Sequence, residues 1–221
     1  GILYYPLDYQ PEKKYPMVVY VYQIQSDKKN KYPISLERNI IVGFDIRTLI
    51  ENGYFVYLPD IVFGAKGTGL SALDCVDHSL DALKGESSLN FEKVALVGHS
   101  HGGYITNFIA THSNRFATYV SGAGNVDLVR SYHSMNENFV SPFYWQFESG
   151  QYELFTPFVQ NKDLYNRNSP INYVEHISAP VLLWNGKRDI NIESGQVVEF
   201  YIALKRNNKK ATMLVYPDEG H

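Results

Sequence analysis

The sequence has very little cysteine and no large excess of charge of either sign. Cys75 is the single cysteine among 221 residues, which excludes an internal disulfide and a metal site built on several thiolates. Lysine and arginine together number 20 against 23 acidic residues, so the net charge is −3. Because that balance provides no basic surface field, we do not expect the protein to bind nucleic acid.

Long apolar runs are missing as well. No stretch approaches the roughly 18 apolar residues that a membrane-spanning helix needs, so we predict no contact with a membrane. No charged-then-apolar signal segment is visible at the start, and the compartment stays open between cytoplasm, periplasm and secretion. The hydrophobic fraction of 44% with 19% charged residues instead predicts a globular chain with a well-buried core.

The strongest chemical signal lies near the middle of the chain. The apolar run Val94–Val97 predicts a buried strand, and Gly-His-Ser-His-Gly follows it at positions 98–102. Apolar residues then recur at helical spacing from Ile105 onwards. A G-x-S-x-G motif between a strand and a helix is typical of a nucleophile elbow, so we predict Ser100 as the nucleophile. The alternative is a glycine-rich turn whose serine only caps a helix.

Strands and helices alternate along most of the chain. Predicted strands are Met17–Tyr22, Tyr54–Pro59, Val94–Val97, Phe116–Ala123, Val181–Trp184 and Ala211–Tyr216. Predicted helices are Arg38–Asn52, Ser71–Lys84, the helix after Ser100 and a helix over Val197–Leu204. This alternation predicts one α/β domain with a mostly parallel sheet and helices on both faces. The stretch 125–178 departs from it, and we expect short helices and loops there, over the carboxyl edge of the sheet.

A serine nucleophile needs a base, and the base needs an orienting acid. On this architecture the acid and then the histidine follow the serine, each on a loop after a later strand. Asp189 and His221 occupy those places. Asp218 is the competing acid, but it is only three residues from His221, and such short spacing rarely reaches the far nitrogen of the ring. We therefore predict a triad of Ser100, Asp189 and His221.

The oxyanion hole requires two hydrogen-bond donors. The main-chain N–H of His101, one residue past the nucleophile, is the first. No glycine follows Val21, so a side-chain donor is needed, and the Tyr22 hydroxyl is the candidate. His99 and His101 resemble a metal-binding pair, but nothing nearby supplies further ligands, so we predict no metal.

The order of five segments along the chain is a further signal. They are Tyr15-Pro16 with Tyr22, Gly98–Tyr104, Asn168-Ser169-Pro170, Asn185–Asp189 and Asp218–His221. In order and spacing they resemble the catalytic domain of prolyl oligopeptidase-family serine peptidases, including the dipeptidyl-peptidase and acylaminoacyl-peptidase branches. The resemblance covers nearly the whole chain.

This resemblance implies an α/β-hydrolase fold for residues 1–221, with the triad and oxyanion hole named above and no cofactor. It also implies a β-propeller domain before Gly1, a partner within the same chain that restricts access to short peptides. A last helix would follow His221, so we expect the natural chain to continue beyond it. By position, the primary specificity pocket would be lined by Asn125, Leu128, Tyr132, Asn191 and Ile192.

Two positions depart from the family pattern. Gln23-Ile24-Gln25 follows Tyr22, where many relatives have glycine or alanine, and Ile190 follows Asp189, where an acidic or small residue is common. Both bear on substrate preference rather than on catalysis. The predicted function is a serine peptidase that hydrolyses short peptides by acyl transfer. The alternative is an esterase on the same fold, while the intact triad disfavours a catalytically silent domain. Exopeptidase or endopeptidase character, the preferred residue at the scissile bond and the oligomeric state, a homo-oligomer included, stay open.

Overall fold

The alternation of strands and helices is visible in the computed structural model, which describes residues 1–30 and 44–221. The strands are β1 (Ile2–Tyr4), β2 (Tyr15–Tyr20), β3 (Phe55–Leu58), β4 (Leu89–His99), β5 (Thr118–Gly122), β6 (Met135–Asn136), β7 (Ser141–Pro142), β8 (Val181–Gly186) and β9 (Ala211–Tyr216). The α-helices are α1 (Ile46–Glu51), α2 (Thr68–Ala82), α3 (His101–His112), α4 (Leu128–Tyr132), α5 (Tyr144–Glu148), α6 (Lys162–Arg167) and α7 (Ser194–Arg206).

Across the described residues, seven strands form one sheet in the order β1-β3-β2-β4-β5-β8-β9. Strand β1 runs antiparallel to β3, and every other neighbouring pair in this sheet is parallel. Strands β6 and β7 form a separate two-residue pair. The prediction of a mostly parallel sheet is therefore confirmed.

Helices cover both faces of the sheet, as β3 makes clear. Alternate residues of a strand point to opposite faces. Phe55 and Tyr57 join the large core that contains residues of α2, α3 and α7. Val56 and Leu58 join a smaller core together with Ile50 of α1. All four β3 residues are buried, as expected for a strand covered on both sides.

Helix α2 begins three residues before the predicted Ser71, because its first turn receives a cap from a distant residue. The side-chain oxygen of Asn168 accepts a hydrogen bond from Gly69 N over 2.9 Å. A helix leaves its first N–H groups without intrahelical partners, so an external acceptor extends the helix towards its N terminus. The same asparagine donates to Leu164 O, and its own carbonyl oxygen accepts from the Tyr104 hydroxyl over 2.8 Å. Asn168 thus ties α2, α3 and α6 together.

Other predicted boundaries shift by a few residues. Strand β4 spans eleven residues rather than the four of Val94–Val97. Its first residue, Leu89, pairs with Tyr15 of β2, and the pairing resumes at Val94–Val97 after a shift in register, so the strand extends beyond the apolar run. Of the predicted helix Arg38–Asn52, the structure has Ile46–Glu51, which begins after the capping side chain of Asp45. Positions 38–43 lie outside the described residues.

The stretch 125–178 folds as short helices and turns, as its composition predicts. It contains α4, α5, α6 and the 3₁₀ segments Phe158–Gln160 and Pro170–His176. Its side chains reach one end of the sheet, where they line a cleft beside Ser100. In the described part of the chain, no helix combines the length and the apolar character needed to cross a membrane.

Candidate active site

Ser100 occupies the turn between β4 and α3 in a conformation that few residues adopt. Its backbone angles are φ 60° and ψ −121°. A non-glycine residue at positive φ is strained by about 1–3 kcal/mol, so the surrounding structure must hold it in place. Helix α3 does so, because every residue from His101 to Thr111 is buried. Ser100 is therefore carried by a fully packed element.

The two glycines of the motif are required by close approach of the backbone. A Cβ atom on Gly98 would lie 2.1 Å from Gly102 O, and one on Gly102 would lie 2.2 Å from Val21 O. Neither distance is sterically possible for a real side chain. The tight packing of β4, α3 and the end of β2 thus explains why the pattern G-x-S-x-G is needed at this turn.

The structure brings the three predicted triad residues together. His221 Nε2 lies 2.8 Å from Ser100 Oγ, and His221 Nδ1 lies 2.7 Å from Asp189 Oδ2. The other carboxylate oxygen of Asp189 accepts hydrogen bonds from the main-chain N–H groups of Asn191 and Ile192, at 2.8 and 2.9 Å. The Asp189 side chain is fully buried. Its orientation is fixed on one side by the backbone and on the other by the imidazole.

Asp218, the competing acid, points elsewhere. Its carboxylate pairs with the Arg188 guanidinium over 2.6 Å at the surface, and 79% of its side chain is exposed. The carboxylate that faces His221 is that of Asp189, which is supplied by the loop after β8.

Tyr22 and His101 are the two residues predicted to form the oxyanion hole. Both residues line the cleft that also contains Ser100 and His221. His101 is the first residue of α3, so its main-chain N–H is one of those that find no acceptor within the helix. The Tyr22 ring lies against the start of α3, with its centroid 6.2 Å from that of the His101 ring. The two residues predicted to supply the oxyanion donors therefore border the same cleft.

The two histidines that flank Ser100 are neutral at neutral pH. Burial lowers the pKa of His101 to about 3. Burial, helped by the nearby His221, lowers the pKa of His99 to about 4. The His99 ring stacks on Trp184 at a centroid distance of 5.0 Å. Among the residues that the structure describes, no group of three or more histidine, cysteine, aspartate or glutamate side chains could hold a metal ion.

The cleft beside Ser100 has a volume of about 220 Å³. Two of the five residues predicted for the specificity pocket, Asn191 and Ile192, line it. Six further residues of the described chain, which the sequence did not predict, line the cleft, and all of them come from the stretch 125–178: Asn136, Phe139, Phe143, Gln146, Gln151 and Tyr152. That stretch has no regular period, so only its position in the chain pointed towards the site.

The other three predicted pocket residues do not line the cleft. Asn125 lies behind it and donates a hydrogen bond to the hydroxyl of Tyr152 over 2.7 Å. Leu128 is completely buried in the core. Tyr132 donates to Glu148 and packs edge-on against Tyr165.

The chain has an α/β-hydrolase fold. Two features define it: a mostly parallel sheet with helices on both faces, and a serine on a strained strand-to-helix turn. The model of the prolyl oligopeptidase family matches residues 71–221. The chain therefore belongs to the prolyl oligopeptidase family, a family of serine peptidases.

Known proteins match between 81% and 99% of the chain. Dipeptidyl-peptidase 5 of Porphyromonas gingivalis is 25% identical over 98% of this chain and 32% of its own length. The acylamino-acid-releasing enzyme of Mus musculus is 24% identical over 81% of this chain and 25% of its own length. The structure of Pyrococcus horikoshii acylaminoacyl peptidase covers 99% of this chain and 34% of that one, at 19% identity and a TM-score of 0.75. The chain thus spans about a third or less of the length of these proteins.

Proposed function

We propose that this chain is the catalytic domain of a serine peptidase that hydrolyses short peptides through an acyl-enzyme. The observation that carries the proposal is the unbroken line of contacts from Asp189 through His221 to Ser100, each shorter than 3 Å. Peptide substrates are supported by membership of the family and by the names of the relatives. The upstream propeller and the helix after His221 remain predictions.

In the first half of the reaction, Ser100 Oγ attacks the carbonyl carbon of the scissile bond, and its proton passes to His221 Nε2. The imidazolium keeps its Nδ1–H on Asp189, whose negative charge stabilises the positive ring. The carbonyl oxygen becomes an oxyanion and receives hydrogen bonds from the Tyr22 hydroxyl and the His101 N–H. The C–N bond then breaks as Nε2 returns the proton to the leaving amine.

In the second half, water replaces the amine. His221 Nε2 takes a proton from the water, whose oxygen attacks the acyl carbon of the Ser100 ester. The same two donors stabilise the second oxyanion. When the C–O bond to Ser100 breaks, Nε2 returns the proton to Oγ, and the peptide acid leaves. The enzyme is restored with no net change in protonation.

Peptide amides and simple esters separate the proposed activity from the esterase alternative. We expect the full-length protein to cleave short peptide p-nitroanilides, because a positioned imidazole can protonate the poor amine leaving group. The measurement is release of p-nitroaniline from a panel of short peptides, beside release of p-nitrophenol from small acyl esters. Turnover of the esters without turnover of any amide would favour the esterase.

Tyr22→Phe is expected to lower kcat roughly a hundredfold, about 3 kcal/mol, with KM nearly unchanged. The phenylalanine keeps the ring against α3 and removes only the hydroxyl. The matched control is Tyr20→Phe, because Tyr20 stacks on Phe44 beside the smaller core and does not line the cleft. A Tyr22→Phe enzyme with full kcat would show that another donor serves the oxyanion.

A further inference from the structure

The Tyr22 hydroxyl has a neighbour that the proposed mechanism does not use. Gln151 Nε2 donates one hydrogen bond to Tyr22 Oη over 3.1 Å and another to Gln23 Oε1 over 3.0 Å. A side-chain amide nitrogen carries two hydrogens, so both are engaged. The contact joins positions 129 residues apart in the chain. It brings the stretch 125–178 directly onto the predicted oxyanion hole.

The direction of this hydrogen bond decides what the phenol can do. A hydroxyl has one hydrogen and two acceptor lone pairs. Because Tyr22 Oη accepts from Gln151, its own hydrogen remains available to another acceptor. Tyr22 and Ser100 line the same cleft, so an oxyanion formed at Ser100 is an acceptor that this cleft offers to the phenol. Accepting a hydrogen bond also polarises the O–H bond and makes the phenol a better donor.

Gln23 contacts the same end of the Gln151 amide as the phenol does. If the amide turned over, its oxygen would accept the Tyr22 hydrogen and withdraw that hydrogen from the cleft. The turned amide would also place two oxygens, Gln151 Oε1 and Gln23 Oε1, on the same side without a proton between them. With the Gln23 oxygen facing Gln151, as observed, the orientation in which Gln151 donates is favoured. The main-chain N–H of Gln151, held by Gln146 Oε1 over 3.3 Å, fixes the start of the side chain.

We propose that Gln151 is a positioning residue that, held by Gln23, aims the Tyr22 hydroxyl at the oxyanion. The inference rests on the proposed role of Tyr22 as an oxyanion donor. It gives the glutamine directly after Tyr22, a departure from the family pattern that was expected to bear on substrate preference, a part in catalysis instead. Gln151 acts on the transition state through the phenol and need not touch the substrate.

A double-mutant cycle in the full-length protein tests the inference. Gln151→Met keeps the length of the side chain and removes its N–H groups. We expect kcat on a chromogenic peptide to fall about tenfold with KM within about twofold, because only the transition state uses the phenol as a donor. In the Tyr22→Phe background the same substitution should cost nothing further, since the group through which it acts is gone.

Two more variants strengthen the cycle. Gln151→Glu places an acceptor beside the phenol, so it should capture the Tyr22 hydrogen and lower kcat towards the roughly hundredfold loss of Tyr22→Phe. Gln23→Met should lower kcat about threefold in the otherwise unchanged enzyme. In the Gln151→Met background the same substitution should not lower kcat further. The matched control is Gln160→Met, because Gln160 is an exposed glutamine of the same stretch outside the cleft lining, and its kcat should not change.

The outcomes separate this inference from the proposed function. The inference would be overturned, and the triad proposal left standing, if the losses in kcat for Gln151→Met and Tyr22→Phe add in full in the double variant. A Gln151→Met effect confined to KM would have the same consequence. A Tyr22→Phe enzyme with unchanged kcat would overturn both the oxyanion assignment and the inference. Thermal unfolding checks each variant, and if Gln151→Met does not fold, Gln151→Glu and Gln23→Met complete the cycle.

Discussion

Ser100→Ala is expected to abolish hydrolysis while leaving the domain folded. The substitution removes one oxygen atom and keeps a Cβ atom, so the strained turn between β4 and α3 meets the same packing. Without Oγ no acyl-enzyme can form, and loss of a nucleophile of this kind costs about six orders of magnitude in kcat. The measurement is the initial rate on one chromogenic peptide, with circular dichroism and thermal unfolding to compare the folded states.

A covalent probe makes the same assignment independently of turnover. An organophosphonate should add one adduct to the full-length protein, and peptide mass spectrometry should locate it on Ser100. Ser87→Ala is the matched control, because Ser87 is an exposed serine in the turn before β4, and labelling should be unaffected. An adduct on any other residue, or a Ser100→Ala enzyme that retains the rate, would refute the nucleophile assignment.

Asp189→Asn is expected to lower kcat about ten-thousandfold with little change in KM. The reason lies in the contacts of the carboxylate. One oxygen accepts from the N–H groups of Asn191 and Ile192, so the amide oxygen of an asparagine must occupy that place. Its NH₂ then faces His221 Nδ1, which has to accept a hydrogen bond and lose its proton. The ring is left with its proton on Nε2, which cannot take the proton of Ser100.

The competing acid supplies the matched control for this prediction. Asp218→Asn removes a charge three residues from His221 but breaks only an exposed pair with Arg188, so kcat should stay within about twofold. Steady-state kinetics on the same peptide compare the two variants. A large loss in Asp218→Asn, with Asp189→Asn nearly active, would assign the acid to the last loop and contradict the geometry of the site.

The sequence was informative about the order of the proposed reacting groups because strand order constrains where they can meet. Tyr22, Ser100, Asp189 and His221 each come just after a strand of the parallel sheet, namely β2, β4, β8 and β9. The carboxyl ends of parallel strands lie at the same edge. Residues far apart in the chain were therefore predictable neighbours, since only short loops separate each from its strand.

Element boundaries were less predictable where distant residues decide them. The start of α2 depends on the side chain of Asn168, almost a hundred positions away. The start of β4 at Leu89 coincides with a pairing to Tyr15 of β2, although the first half of the strand has no unbroken apolar run. Local periodicity locates the centre of such an element, but the ends follow from hydrogen bonds that tertiary packing supplies.

The sequence by itself determined the α/β class, and it predicted a nucleophile elbow at Ser100 and the chain order of the triad, because each depends on local patterns attached to regular strands. Only the tertiary structure decided what lines the cleft and which group holds the Tyr22 hydroxyl. Gln151 and Tyr152 belong to a stretch without regular period, so no pattern fixes the direction of their side chains. Asn125 illustrates the difference: it lies in the expected region, yet packing turns it behind Tyr152. In irregular segments the direction of a side chain is set by what it packs against, and that information is distributed over the whole fold.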